Sequence, residues 1–487
     1  MRADVANDLT SLDVASLARL ISTAKVSPVE VINAYLDRIA KFDPVLHAYI
    51  NVYPELALEA AGAAEQTVAE GNHLGPLHGV PIAVKDLFLS KNMIRTCGTS
   101  FMQAKASRDA AMIARLKAGG AIILGTLNLH ELAYGPTGIN PNSGTARNPW
   151  NRELICGGSS SGSGCATAAR LAAAALGSDT GGSIRLPASL CSVVGLKQTY
   201  GLTSSDGIYP LCESFDHGGP LARTVRDAGI LLQALARPDS VNGSASVAQS
   251  TEYLIGLDQN IKGIRIGVPA NFFFDDIDPE TGSAVTGALS VFEELGAIVE
   301  EVEIPFAEAA VEAWTTIALA EAWATNEENI INHEIVMSPD IVERLQLGKN
   351  IDENAIHEAR QIREEVQQSM TSLLSNVDFI ATPTSPIPAV PIDNPMTNVI
   401  GSGGEVHAAV VLGRFTRLAA FTGQPAISVP CGFASNGSPI GLQLMARWSD
   451  EANLLKIAYA YEQATEWHTR RPEDPTVNDS VEKSRSQ

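Results

Sequence analysis

The chain repeatedly places glycine between a helical pattern and a short apolar run, and this order constrains its fold most. A helical pattern over residues 108–118 ends at a glycine pair, and the apolar run 121–124 follows at once. The same order recurs where Gly296 precedes residues 297–299. Glycine ends helices readily because it adopts the left-handed conformation at little cost. Alternation of helices and short strands is typical of α/β proteins, so we expect that class.

The length and composition allow one large hydrophobic core or two or three ordinary ones, since 45% of the 487 residues are hydrophobic and 18% are charged. Apolar residues recur at helical spacing in the first seventy residues, with a capping box that begins at Ser27. We assign residues 1–70 to an N-terminal helical part of one domain. Its core is residues 71–470, with a helical and loop insertion at about 305–400. Residues 471–487 are poor in apolar side chains and are expected to form a disordered tail.

The charge balance and the cysteines exclude several classes of partner. The chain has 34 Lys and Arg against 55 Asp and Glu, a net charge of −21, which repels phosphate backbones and anionic membranes. We therefore expect no direct contact with nucleic acid or membrane. Six cysteines show neither a CxxC pair nor zinc-ligand spacing with histidine, so no metal site is expected. The N-terminus lacks the pattern of a signal peptide, which favours a cytoplasmic location.

Two loops rich in glycine and serine lie close together in the central third of the chain. Residues 157–164 form the first loop, and the alanine-rich segment 165–176 that follows is expected to be a helix. The second loop, 178–183, ends in Thr-Gly-Gly-Ser, which presents backbone N–H groups that could stabilise negative charge on a carbonyl oxygen. A serine at its end is placed to attack that carbonyl. Taken alone, such a turn is more often a simple connection between a strand and a helix.

A serine nucleophile needs a base, and none of the nine histidines is an obvious choice. Lysine can replace histidine when burial lowers its pKa towards neutrality. Lys85 ends the short apolar run 80–84 and fits that description. From local sequence alone, a lysine that reaches solvent or pairs with Asp86 is the more common arrangement.

Several long motifs together resemble the amidase signature family, in the family's order and over about residues 10–470. The motifs are GVPIAVKD at 79–86, GGSSSGS at 157–163, GSDTGGSIRLP at 177–187, GLK at 195–197, FDH at 215–217, GPLART at 219–224 and TGQPAISVP at 422–430. The resemblance implies a single large α/β domain with a central mixed, twisted sheet and helices on both faces. It also implies a hydrolase that acts on the C–N bond of linear amides, needs no cofactor and forms a homodimer.

The same resemblance implies a Ser-Ser-Lys catalytic triad made of Lys85, Ser159 and Ser183. In the family's mechanism, Ser183 attacks the amide carbonyl and forms an acyl-enzyme. Ser159, which follows a cis peptide bond, passes the proton of the nucleophile to a neutral Lys85. A hydroxyl group can carry out such a relay because it accepts one proton while it donates another.

Further residues are expected to support this triad. The backbone N–H groups expected to hold the oxyanion belong to Thr180, Gly181, Gly182 and Ser183. Asp179 and Arg185, on either side of the turn, are expected to orient it through hydrogen bonds or an ion pair. Three aromatic residues are candidates for substrate contact, each equally acceptable as a core residue: Tyr134, Tyr209 and Trp323. The substrate is expected to be a small amide, with esters, carbamates and urea-type compounds left open.

Three other interpretations remain. Residues 158–162 match G-x-S-x-G, which would make Ser160 the nucleophile of an α/β-hydrolase, but the preceding segment is rich in turn residues rather than strand-like. The first glycine loop could bind an anion at a helix N-terminus, although no nucleotide-binding motif is present. Finally, the glutamine-hydrolysing A subunit of a tRNA-dependent amidotransferase shares the amidase signature and works in a complex.

Overall fold

The computed structural model describes residues 8–236, 252–398 and 404–476. Its strands are β1 (Tyr49–Val52), β2 (Pro81–Lys85), β3 (Ile94–Arg95), β4 (Ala104–Lys105), β5 (Ile122–Leu127), β6 (Ala174–Asp179), β7 (Val194–Lys197), β8 (His217–Ala222), β9 (Arg265–Pro269), β10 (Ile298–Val302), β11 (Phe379–Pro383), β12 (Met396–Thr397), β13 (Val406–His407), β14 (Ala426–Phe433) and β15 (Pro439–Ala446). Its α-helices are α1 (Val14–Ser22), α2 (Pro28–Leu46), α3 (Pro54–Ala69), α4 (Ala111–Ala118), α5 (Ser161–Ala168), α6 (Arg185–Cys191), α7 (Val225–Leu235), α8 (Pro279–Glu294), α9 (Ala307–His333), α10 (Pro339–Gly348), α11 (Glu353–Asn376), α12 (Ala408–Val411), α13 (Arg417–Thr422) and α14 (Glu451–Ala464).

Eleven strands form one sheet in the order β1-β5-β2-β6-β8-β7-β14-β15-β11-β9-β10. The sheet is mixed, since β2 is parallel to β5 and β6 whereas β8 is antiparallel to β6 and β7. Helices flank it: α6 packs against β14 and β15, and α7 packs against β8. The predicted α/β class and the mixed sheet are confirmed.

Two neighbouring strands bring lysine and serine to the same edge of this sheet. Strand β2 is short, buried throughout and ends at Lys85. Strand β6 pairs with it in parallel, with Val84 opposite Leu176, and continues to Ser178 and Asp179. Because parallel neighbours end at the same edge, side chains that follow them meet there. Strand topology therefore places Lys85 beside the second glycine loop.

The expectation of a helix over residues 165–176 is wrong for its second half. Helix α5 ends at Ala168, Arg170 adopts a left-handed φ of 60°, and β6 begins at Ala174. Every residue of β6 is buried, and the strand pairs with β2 on one side and β8 on the other. The helix propensity of alanine is a weak preference that such pairing overrides, and small side chains fit a strand covered on both faces.

The N-terminal part of the chain contains helices and one strand, and residues 471–476 after α14 are irregular. Helices α1, α2 and α3 dominate the N-terminal part, and Ser27 forms the predicted capping box with Glu30. The same part also supplies β1 at the edge of the sheet, which the helical assignment missed. Residues 471–476 have no regular secondary structure, and Asp474 forms ion pairs with Arg38 and Arg170. The rest of the expected tail lies outside the described residues.

Residues 305–400 hold the three long helices α9, α10 and α11 and the strand β11. Within the described residues, no helix combines the length and apolar character needed to cross a bilayer. All six cysteines are buried and carry free thiols.

Candidate active site

Lys85 is completely buried at the end of β2. Its Nζ donates hydrogen bonds to Ser159 Oγ at 2.7 Å and to Ser178 Oγ at 2.8 Å. Burial lowers the pKa of Lys85 to about 7, although the charges of Asp216 and Asp179 oppose the shift. Removing an amine from water disfavours its charged form, so much of this lysine is neutral at pH 7 and can accept a proton.

The first glycine loop holds Ser159 against Lys85. The peptide bond between Gly158 and Ser159 is cis. Gly158 donates its N–H to the carbonyl of Pro136 at 2.7 Å, and a Cβ at position 158 would lie only 2.6 Å from the carbonyl oxygen of Gly135. The chain's own backbone thus lies directly against this loop. Glycine is required at 158 because no side chain fits there.

Asp179 and Arg185 form a buried ion pair that shapes the turn before Ser183. Both side chains are fully buried, with Arg185 Nη2 at 2.9 Å from Asp179 Oδ1 and Nε at 3.0 Å from Oδ2. Burial opposes a charge on Asp179, but Arg185 holds the pKa of that carboxyl below its usual value. The carboxylate also accepts the N–H groups of Gly182 at 2.7 Å and Ile184 at 3.2 Å. The orienting contacts expected of this pair are present.

The contact with Asp179 changes the expected set of oxyanion donors. The N–H of Gly182 is already bonded to the carboxylate, so Gly182 is not available to an oxyanion. In the described part of the chain, no such bond occupies the N–H groups of Thr180, Gly181 and Ser183. Of the four expected donors, Gly182 therefore already has an acceptor within the protein. Sequence alone does not show which way each N–H of a turn points.

Two residues from distant parts of the chain clamp the turn. Trp314 on α9 donates its indole N–H to the carbonyl of Thr180 at 3.2 Å, and Thr416 donates its hydroxyl to the carbonyl of Gly181 at 2.6 Å. A Cβ at Gly181 would lie 2.5 Å from the Trp314 ring, and one at Gly182 would lie 2.1 Å from Thr416 Oγ1. The two glycines are therefore needed so that the turn can pass beneath these side chains.

Ser183 opens onto a small cavity. The side chains that share its wall include Tyr134, Trp314, Arg344 and Arg417. Arg344 stacks on Tyr134, with its guanidinium carbon 4.6 Å from the ring centroid, and Arg417 stacks on Trp314 at 4.8 Å. The core thus supplies Ser183 and most of the wall, while α9 and α10 of the insertion add Trp314, Ala318 and Arg344.

Ser159 and Ser183 lie in adjoining segments, but their hydroxyls are not hydrogen-bonded to one another in the described residues. The backbone N–H of Ser160 donates to the carbonyl of Ser183 at 3.3 Å, which holds the two loops side by side. Lys85 therefore contacts Ser159 directly, whereas Ser183 lines the cavity.

Comparisons with known proteins identify the family of this chain. The model of the Amidase family matches residues 30–455. The chain belongs to the Amidase family. It is 37% identical to the A subunit of the glutamyl-tRNA(Gln) amidotransferase of Azotobacter vinelandii over 487 aligned residues, which cover 95% of this chain and 99% of the relative.

Two solved structures extend the comparison. A chain from work on a vestigial protein complex and the origins of an s-triazine catabolic enzyme matches with a TM-score of 0.88 and 32% identity, covering 96% of this chain and 100% of that one. The peptide amidase of Stenotrophomonas maltophilia matches with a TM-score of 0.82 and 30% identity, covering 95% and 99%. The chain is an enzyme of the amidase signature type that acts on C–N bonds.

The alternative nucleophile Ser160 is poorly placed in this Amidase family member. It is fully buried, and its hydroxyl donates to the carbonyl of Ser178 at 3.2 Å and accepts the N–H of the same residue at 3.2 Å. The hydroxyl thus ties the serine loop to β6 and does not line the cavity. No strand directly precedes it among the described residues, as a nucleophile elbow would require.

Only one of the three expected aromatic contacts lies in the cavity, namely Tyr134. Tyr209 does not line it. Its hydroxyl donates to Asn326 Oδ1 at 3.0 Å and accepts from Asn329 Nδ2 at 2.7 Å. Trp323 packs, as Tyr209 does, against a hydrophobic cluster that includes Leu211 and Ala322, and Lys349 Nζ lies 5.5 Å from its ring centroid. The cavity beside Ser183 therefore includes Tyr134 but not Tyr209 or Trp323.

Sequence reasoning did not single out Arg344 or Arg417. Neither lies in a glycine-rich motif, and both come from segments more than 150 residues after Ser183. The one available signal is that Arg417 opens an otherwise apolar helical turn, Arg-Leu-Ala-Ala-Phe-Thr. An arginine in such a setting needs a partner or an opening to solvent.

Proposed function

We propose that the chain hydrolyses amide C–N bonds through an acyl-enzyme on Ser183, with Lys85 as the base and Ser159 as the proton carrier. The observation that carries the proposal is the completely buried amine of Lys85, 2.7 Å from Ser159 Oγ. Burial lowers the pKa of that amine to about 7, so that about half of it is neutral at pH 7 and able to act as a base. Its location at the edge of the sheet, beside the turn that carries Ser183, supplies the remaining support.

The reaction proceeds in two stages. Ser183 Oγ bonds to the amide carbon as its proton passes to Ser159 and the Ser159 proton passes to Lys85. The N–H groups of Thr180, Gly181 and Ser183 stabilise the oxyanion. The C–N bond then breaks, and the leaving amine takes a proton from Lys85 through Ser159. Water attacks the ester with the same relay as base, which releases the acid and restores Ser183.

Removal of single side chains tests the assignment. We expect Ser183→Ala to abolish ammonia release from amides, and Lys85→Ala to reduce it nearly as far, while circular dichroism shows an intact fold. Ser160→Ala is the matched control, because its hydroxyl bonds only to backbone and this variant keeps turnover. Near-normal hydrolysis by Ser183→Ala, or loss confined to Ser160→Ala, would contradict the proposal.

A second candidate concerns the biological setting: the chain releases ammonia from glutamine as one component of an amidotransferase. The relatives that support it are amidotransferase A subunits, among them that of Geobacter metallireducens, at 35% identity over 95% of this chain and 99% of the relative. The relatives support a role in such a complex better than they support a hydrolase that acts alone. Under this candidate, the chain would assemble with different protein chains in the cytoplasm and not as the homodimer that the sequence resemblance implies.

Glutamine is the substrate that separates the two settings. We would measure ammonia release from glutamine, primary amides, anilides, carbamates and ureas, with the purified chain and with the chain recovered together with its co-purifying proteins. A role within a complex predicts glutamine turnover that rises with the partners present. Turnover of another amide by the purified chain, with glutamine inert in both preparations, would favour a hydrolase that acts alone.

A further inference from the structure

The cavity beside Ser183 has a positively charged wall with an unpaired cation. Arg417 is the first residue of α13 and lines the cavity together with the nucleophile. Its contact with the face of Trp314 leaves the N–H donors unused: within the described ranges, it makes no hydrogen bond and no ion pair. Arginine carries five N–H donors and stays charged at neutral pH. A cation so placed is positioned to meet an anionic group that enters the cavity.

The rest of the wall adds positive charge and no negative charge. Arg344 donates to the carbonyl of Tyr134 at 2.8 Å and stacks on its ring. Burial, with the charge of Arg344 added to it, lowers the pKa of Arg417 to about 10, so Arg417 is still protonated at neutral pH. None of the described residues that line the cavity is Asp or Glu. A carboxylate in the cavity would relieve this repulsion, whereas an ammonium group would add to it.

Gly413 keeps the guanidinium of Arg417 open to the cavity. It lines the same wall, and a Cβ at this position would lie 3.7 Å from Arg417 Nε and 4.0 Å from Nη2. A longer side chain at 413 would cover those donors. The absence of one leaves room for a planar carboxylate, whose two oxygens match the two parallel N–H bonds of a guanidinium.

We propose that the cavity selects an amide that carries a carboxylate and no ammonium group, and that Arg417 binds the carboxylate. The substrate class is then the half-amide of a short dicarboxylic acid, whose amide carbonyl reaches Ser183 while its carboxylate remains at Arg417. This inference rests on the proposed amide hydrolysis and adds its specificity. It also separates the chain's substrate from free glutamine, which carries both a carboxylate and an ammonium group.

Three matched amides test the inference: glutaramate, glutamine and pentanamide. Glutamine adds an ammonium group to glutaramate, and pentanamide lacks its carboxylate. We expect kcat/KM for glutaramate to exceed that for each of the others by about tenfold or more. In Arg417→Gln, the preference over pentanamide falls to about threefold or less. The matched control is Arg414→Gln, which keeps the preference, because Arg414 stacks on Phe272 and bonds to the carbonyl of Asp275 outside the cavity.

A binding measurement distinguishes failure of this inference from failure of the proposed reaction. Calorimetry with glutarate, the product of glutaramate hydrolysis, is performed on Ser183→Ala with and without Arg417→Gln. We expect the second substitution to weaken binding about tenfold. If no amide is cleaved but glutarate binding depends on Arg417, the reaction is wrong and the anion specificity stands. The inference is overturned if pentanamide or glutamine is turned over as fast as glutaramate. It is also overturned if Arg417→Gln leaves the affinity for glutarate unchanged.

Discussion

The acid side of the pH profile should report the protonation of Lys85. The amine must be neutral to accept a proton, and its pKa is lowered to about 7 because it is buried. A group with that pKa is about nine-tenths neutral at pH 8, half neutral at pH 7 and roughly one-hundredth neutral at pH 5. We therefore expect kcat/KM for an amide to fall about ninetyfold between pH 8 and pH 5, with an inflection near pH 7.

The assay is initial-rate ammonia release at constant ionic strength, with circular dichroism at each pH to show that the fold persists. Asp216 titrates nearby, since burial raises its pKa to about 6 while Thr180 bonds to it. Its protonation would steepen the profile below pH 6 and leave the inflection near pH 7. Lys85→Arg is the matched variant, because arginine stays protonated, and we expect it to be inactive at every pH tested. A flat profile from pH 5 to pH 8 in the folded enzyme would refute the role of Lys85.

Three further substitutions test the surroundings of the triad. Asp179→Asn leaves the buried Arg185 without its carboxylate, so chemical denaturation should show a loss of about 3–5 kcal/mol in the free energy of unfolding; a loss below about 1 kcal/mol would contradict the burial of this pair. Ser178→Ala removes an acceptor that favours protonated Lys85, so the acid inflection should move about one pH unit lower; an upward shift would contradict this role. Gly182 has a φ of +128°, and a Cβ added there by Gly182→Ala would lie 2.1 Å from Thr416 Oγ1, so turnover should fall at least about a hundredfold. A normal kcat in this variant would show that the turn is not held as described.

The contacts of the candidate triad were largely predictable from sequence because its residues lie in contiguous motifs. Lys85 ends a strand-like run, and the two serines lie in loops whose glycines signal close backbone approach. The contact of Lys85 with Ser159 depends on two parallel strands that end at one edge, a regular feature of α/β sheets.

The wall of the cavity beside Ser183 could not be predicted in the same way. Trp314 and Arg344 lie far from the motifs along the chain, and Arg417 lies five residues before the motif at 422–430. The three side chains reach one cavity only through the tertiary fold. The direction of the Gly182 N–H likewise depends on a tertiary contact, the buried Asp179. The alanine content of residues 174–176 predicts a helix, but these residues form part of β6, because pairing within the sheet outweighs local helix propensity.

Mapping the site of covalent modification tests the central claim most directly. A small sulfonyl fluoride reacts with an activated serine, and peptide mass spectrometry after digestion identifies the modified residue. The account predicts one adduct, on Ser183, absent from Ser183→Ala and strongly reduced in Lys85→Arg. An adduct on Ser160, or equal labelling of Ser183→Ala, would contradict it.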